Sequence, residues 1–228
     1  MEPQKKIALE AKQLHKAFYN PNKVSILDGV DLTVHQGETV AIMGRSGEGK
    51  STLLQILGTL DSACKGSLTI LDQAVTRYNK SKIRNCNLAF VFQSFHLLDD
   101  YTALENILLP ASIGRHSIEA GSPAYVRGCE LLEHVGLSDR AHFNTKLLSG
   151  GEKQRVAIAR ALCNDPEIIL ADEPSGNLDR QTAHLIHSLL LTFAKERNKS
   201  LIVVTHDEEL AALCDTRYQL ENHKLYPQ

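Results

Sequence analysis

Apolar and polar positions divide the chain into blocks of different period. Three β-rich runs come first: Lys6 to Leu14, Ser25 to Val34 and Glu38 to Met43. Lys50 to Thr59 reads as a helix, and Gly66 to Leu71 and Asn87 to Phe92 read as further strands. From about Ser94 to Thr145 the character changes. Apolar residues recur at helical spacing in Ala103 to Leu109 and again in Val126 to Val135, with a polar linker at Gly114 to Pro123. Ser149 to Leu162 carries another helical pattern. Strand and helix then alternate through Glu167 to Ala171, Arg180 to Glu196, Ser200 to Thr205 and Asp207 to Leu213. That alternation predicts an α/β fold with a mainly parallel sheet and crossover helices. The early runs predict an N-terminal antiparallel β part, and residues 94–163 an inserted helical lobe.

Composition narrows the classes. With 228 residues, 43% of them hydrophobic, the chain can build one large domain with its own core. The net charge of −2 leaves no basic excess to draw it onto nucleic acid. Residues 1–6 lack the apolar stretch of a secretory leader, and no run approaches the ~20 apolar residues of a membrane span. If the chain serves a membrane, another chain must cross it. Cys64, Cys86, Cys129, Cys163 and Cys214 are odd in number and form no C-x-x-C pair. They are expected to be reduced, mostly buried thiols rather than a disulfide or zinc framework. The ten histidines show no metal-binding cluster and are expected mostly at the surface.

The sharpest local signal is Gly44-Arg45-Ser46-Gly47-Glu48-Gly49-Lys50-Ser51-Thr52, placed between the apolar run ending at Met43 and the helix that follows. Strand, glycine-rich loop and Lys-Ser at a helix start form a phosphate-binding loop. Glycines allow backbone N–H groups to turn toward anionic oxygens, and the helix N-terminus adds partial positive charge. Lys50 supplies full charge to the β- and γ-phosphates, and Ser51 a hydroxyl to Mg²⁺. Glu48 places an extra carboxylate in this loop, which repels a triphosphate unless its side chain points to solvent. Downstream, Ile168 to Ala171 is an apolar run ending in Asp172 and Glu173. At the C-terminal edge of a strand, Asp172 suits Mg²⁺ through water and Glu173 can polarise an attacking water.

Leu148-Ser149-Gly150-Gly151-Glu152-Lys153-Gln154 resembles the signature motif of ATP-binding cassette (ABC) ATPases. A serine cap, glycine N–H groups and a helix dipole make a second site for a γ-phosphate. The resemblance implies a P-loop ATPase core and a homodimer in which each signature motif closes over ATP held by the other copy. It extends over nearly the whole chain. Gln93 resembles the glutamine that contacts Mg²⁺ and attacking water. Ser175 to Asp179 resembles the loop lying across the dimer, and His206 the histidine that contacts the γ-phosphate. Phe18 falls where the family stacks an aromatic ring on adenine, with Tyr19 the rival.

By this resemblance the catalytic residues are Lys50, Gln93, Glu173 and His206. ATP is held by Phe18, Gly44, Ser46, Gly47, Gly49, Lys50, Ser51, Thr52, Ser149, Gly150, Gly151 and Asp179, and Mg²⁺ by Ser51, Gln93 and Asp172. Residues 1–93 and 164–228 form the ATP-binding core of a single domain. The partners are integral membrane permease subunits and a second copy, and the site of action is the cytoplasmic face of the inner membrane. Phe95 to Leu98 is the expected docking groove. The stretch from Phe90 to Asn106 is similar to the ATPases of bacterial lipoprotein-releasing systems. The form of Ala171 to Asp179 is shared with MacB-type exporters and the division ATPase FtsE, which stay open as alternatives.

Overall fold

The computed structural model describes residues 6–19 and 23–228, so residues 1–5, read above for a leader, lie outside it. The chain runs through β1 (Ile7–Tyr19), β2 (Lys23–His35), β3 (Thr39–Met43), α1 (Lys50–Leu57), β4 (Lys65–Ile70) and β5 (Gln73–Ala74). It continues with α2 (Lys80–Asn87), β6 (Leu88–Val91), α3 (Ala103–Ile113), α4 (Pro123–His134) and α5 (Gly150–Ala161). Last come β7 (Ile168–Asp172), α6 (Arg180–Glu196), β8 (Ser200–Val204), α7 (Glu208–Ala212), β9 (Thr216–Glu221) and β10 (Lys224–Pro227).

Two sheets result. One is antiparallel, in the order β2-β1-β4-β5; the other is ordered β10-β9-β3-β8-β7-β6 and is parallel except at its β10 edge. The apolar runs of the second sheet are buried on both faces, as parallel strands covered on both sides must be. Alternation along each strand sends neighbours to opposite cores. Val40, Ile42, Ile168, Leu170, Ile202 and Val204 pack with α1 and the antiparallel sheet. Ala41, Ile169, Ala171, Leu201 and Val203 pack into the other core, which also takes Leu104, Ile107, Leu108, Leu132, Val156 and Ile158 from α3, α4 and α5.

Helix starts follow their caps. Thr102 before α3 and Ser149 before α5 each form a capping box, with Glu105 and Glu152 respectively. Ser122 caps α4, with Pro123 at its first position. No helix among the described residues is long and apolar enough to cross a membrane.

Three expectations change. β1 continues five residues past Leu14, because register shifts between Ala11 and Ala17 let the strand keep pairing with β2 through a polar stretch. The thiols are not mostly buried: Cys64, Cys86 and Cys129 are exposed, Cys214 is half-buried and Cys163 alone is buried. Cys64 lies between elements, Cys86 on the polar helix α2, and Cys129 on α4 away from its buried Gly128, Leu131 and Leu132. Finally, α2, β5, β9 and β10 were not expected from the pattern.

Candidate active site

Four parallel strands deliver the site. In the order β3, β8, β7, β6 they are neighbours, and register aligns their C-terminal ends: Ile42 with Val204, Asp172 with Val204, and Ala171 with Val91. The residues that follow each end, Gly44 to Lys50, Thr205-His206, Glu173 and Gln93, therefore meet along one edge of the sheet. They border an open cleft of about 600 Å³ lined by Ile26, Ser46, Gly47, Gly49, Lys50, Ser51, Thr52, Gln93, Glu173 and His206.

The loop between β3 and α1 is shaped by its glycines. Gly49, the N-cap of α1, has φ +96°, and a Cβ there would stand 2.5 Å from Ile26 Cγ2. Only glycine meets both demands. The Lys50 side chain folds back and its Nζ donates to the carbonyls of Gly44 at 2.9 Å and Arg45 at 3.0 Å. Lys50 as a whole is nine-tenths buried at the helix start, with its ammonium held by the loop. Gly44 lies behind the lysine and does not line the cleft. Glu48 is half-buried and also does not line the cleft.

Ser51 Oγ donates to Asp172 Oδ1 at 3.1 Å. Burial pushes the Asp172 carboxyl above its usual range, and the adjacent Glu173 carboxylate adds to the shift. The Ser51 hydrogen bond and the Lys50 charge oppose it. An exposed hydroxyl beside a half-buried carboxylate at the cleft edge is an oxygen donor set that suits a hard divalent cation. Glu173 has φ +44°, a strained conformation for a glutamate, and its N–H is tied to Val204 O at 2.9 Å. Glu173 Oε2 meets His206 Nδ1 at 2.8 Å and the hydroxyl of Thr205 at 3.5 Å. Gln93 Nε2 donates to Asn177 Oδ1 at 3.2 Å.

The remaining expected residues sit apart from this cleft. Phe18 is 47% exposed, with Lys16 Nζ 5.0 Å over its ring, and Tyr19 is 72% exposed. Ser149 and Gly150 are exposed and Gly151 half-buried at the start of α5. A Cβ on Gly151 would lie 2.6 Å from Thr182 Cγ2, so α5 and α6 approach closely there. Asp179 caps α6, its Oδ1 accepting from Thr182 N at 3.0 Å and its Oδ2 from the Thr182 hydroxyl at 2.7 Å. None of Phe18, Ser149, Gly150, Gly151 and Asp179 lines the cleft.

Some residues of this network were not expected at the site. Ile26 lines the cleft from β2, where it reads as an ordinary strand residue. Thr205 is buried beside Glu173. Gln154 on α5 is fully buried, and its Nε2 donates to Pro174 O at 2.6 Å and Phe92 O at 3.2 Å. Gln154 closes the signature stretch, but nothing in that stretch signals its tie to Phe92 and Pro174.

Residues 27–176 match the family model described as ABC transporter. The chain is 64% identical over 96% of its length to the lipoprotein-releasing system ATP-binding protein LolD of Protochlamydia amoebophila, of which 96% is covered. To LolD of Pseudoalteromonas translucida it is 46% identical, over 96% of this chain and 95% of that one. A bacterial ABC transporter cassette solved as a dimer superposes with a TM-score of 0.87 at 37% identity, covering 95% of this chain and 96% of the other. A dimeric cassette in a post-hydrolysis state, bound to ADP and Pi, gives 0.86 at the same identity and coverage. With the phosphate loop, the carboxylates and the histidine on one sheet edge, these matches place the chain in the ABC transporter family.

Proposed function

We propose that this chain is the ATP-hydrolysing subunit of a lipoprotein-releasing transporter, working through separate integral membrane permease subunits at the cytoplasmic face of the inner membrane. One observation supports hydrolysis above others: Lys50, Ser51-Asp172 and Glu173-His206 converge on one cleft. The cargo is read from LolD, the ATP-binding protein of a lipoprotein-releasing system, which matches over nearly the full chain.

The chemistry follows from the groups present. Lys50 and the N–H groups at the start of α1 neutralise charge on the β- and γ-phosphates, where preorganised donors act most strongly. Ser51, Asp172 and Gln93 hold Mg²⁺, which supplies further charge neutralisation when bound. Glu173 orients the attacking water, and His206, hydrogen-bonded to it, reaches toward the γ-phosphate. Ser149, Gly150 and Gly151 grip the triphosphate on a second copy, with Asp179 at the junction, and Phe18 stacks on adenine. ATP then binds the closed pair more tightly than the open one, and hydrolysis removes that difference.

The division of labour is residues 1–93 and 164–228 for the nucleotide and 94–163 for the lobe that meets the permease. Phe95 to Leu98 serve as the docking segment. Arg160 Nη2 donates to Phe95 O at 2.8 Å, while Leu98 N–H donates to Asn106 Oδ1 at 2.8 Å. These bonds fasten the segment to α5 and α3, so motion of the lobe is passed to whatever sits on it.

The test is reconstitution of the chain with its membrane subunits in vesicles containing a lipoprotein. ATP-dependent release that Lys50→Ala abolishes supports the reading. ATP turnover with no lipoprotein released, under conditions where the permease is folded and bound, overturns the assigned cargo.

A further inference from the structure

His187 lies on α6 among Ile186, Leu190, Leu191, Phe193 and Ala194, the side chains this helix turns to the core. It is the one buried histidine among the described residues, 2% exposed. An apolar residue is the default occupant of such a stripe. A polar ring there carries a desolvation cost unless it is hydrogen-bonded. Its partner is the Ser175 hydroxyl, with Oγ and Nε2 2.6 Å apart. Burial holds the ring below the usual histidine range; His184 acts in the same direction, and Asp207 and Glu209 on the α7 side oppose it. A neutral imidazole has one donor and one acceptor nitrogen, so it completes a bond with a hydroxyl in either sense.

Ser175 is the pivot of two consecutive turns. Gly176 N–H donates to Glu173 O at 3.0 Å, and Leu178 N–H donates to Ser175 O at 3.0 Å. Asn177, within the second turn, holds the Gln93 amide. Upstream stands Glu173 with its positive φ, a conformation kept only where the surroundings over-determine it. Its N–H bond to Val204 fixes one side of that residue. The Ser175–His187 bond fixes the other, through the turn that Gly176 closes.

We infer that His187 is a positioning residue for hydrolysis: through Ser175 it pins the turn that sets Glu173 and the Asn177–Gln93 pair against the cleft. This rests on the ATPase reading above. Its test is steady-state kinetics of the full chain assembled with its membrane subunits. The wild-type rate reads the ATPase assignment, and only the ratios of variant to wild type read the role of His187. His187→Leu and Ser175→Ala are each expected to lower kcat by about 5- to 20-fold while KM for ATP stays within about twofold, since the loss falls on the step after binding. His187→Gln places an amide near the Nε2 position and is expected to restore kcat to within about threefold of wild type. The double variant is expected to be no slower than the slower single one, because both changes break one bond. Leucine suits the apolar stripe, so His187→Leu keeps the wild-type melting temperature. Should it fail to fold, Ser175→Ala reads the same bond. Wild-type kcat in Ser175→Ala and His187→Leu, a His187→Gln variant as slow as the leucine one, or a loss in KM alone overturns the inference.

Discussion

Gln154→Glu separates a structural tie from ordinary packing. The substitution is nearly isosteric, but it turns a donor into an acceptor. In the wild type the Gln154 amide donates to Pro174 O and Phe92 O at 2.6 and 3.2 Å, from a fully buried position, while its own Oε1 has no partner. A glutamate would aim a carboxylate oxygen at the two carbonyl oxygens that now accept from the amide. Losing two hydrogen bonds costs about 1 kcal/mol each, and an uncompensated buried charge about 3–5 kcal/mol. The charged variant is therefore expected to lose at least ~3 kcal/mol of folding stability at pH 7. The folded protein avoids part of this by keeping the new carboxyl protonated, so its pKa is raised above the unfolded value. The charge part of the penalty is then absent below the unfolded carboxyl pKa of about 4.3, grows by about 1.4 kcal/mol per pH unit as pH rises, and levels off at the raised folded value, while the hydrogen-bond part does not depend on pH. Urea unfolding of Gln154→Glu and wild type at pH 5 and pH 7 measures the difference. Phe92 precedes Gln93 and Pro174 follows Glu173, so ATP turnover is expected to fall with stability. A variant within about 1 kcal/mol of wild type at pH 7, or one whose deficit shrinks as pH rises, refutes the reasoning.

Two further outcomes follow from local geometry. Gly49→Ala puts a Cβ 2.5 Å from Ile26 Cγ2 and 3.2 Å from Ile26 O at φ +96°; calorimetry is expected to show a loss of about 2 kcal/mol or more, and ATP titration weaker binding. Titration with a thiol reagent under native conditions is expected to find Cys64, Cys86 and Cys129 fast, and Cys163 and Cys214 slow. Burial pushes both slow thiols up, Cys214 to about 11.

The phosphate loop and the Ser149 cap were legible in the sequence because their physics is local: a turn, a helix start and a charge within nine residues. β3, β7 and β8 were legible as strands because they are short unbroken apolar runs, but the place of β3 in the parallel sheet rather than with the early antiparallel runs was not. The meeting of Glu173 with His206 was not. It depends on β7 and β8 being neighbours in a register that sets Asp172 beside Val204. The elements that went unread are polar. α2 buries only Ile83, and β9 buries only Leu220. The turn from β9 to β10 uses Asn222 and His223 at φ +49° and +68°, where asparagine-glycine would have announced a hairpin. His187 was visible in principle, as a polar residue on an apolar helical stripe, but its meaning required Ser175 to be placed beside it.

The account depends on two copies sharing each nucleotide, since Ser149, Gly150 and Gly151 stand apart from the cleft that holds Lys50. Glu173→Gln removes the carboxylate that orients water and leaves the binding groups in place. Light scattering of that variant with ATP and Mg²⁺ is expected to give twice the single-chain mass, returning to one chain when ATP is withdrawn or Ser149 is replaced by arginine. A Glu173→Gln chain fully loaded with ATP that stays a single copy, both alone and when assembled on its permease, would contradict the shared site.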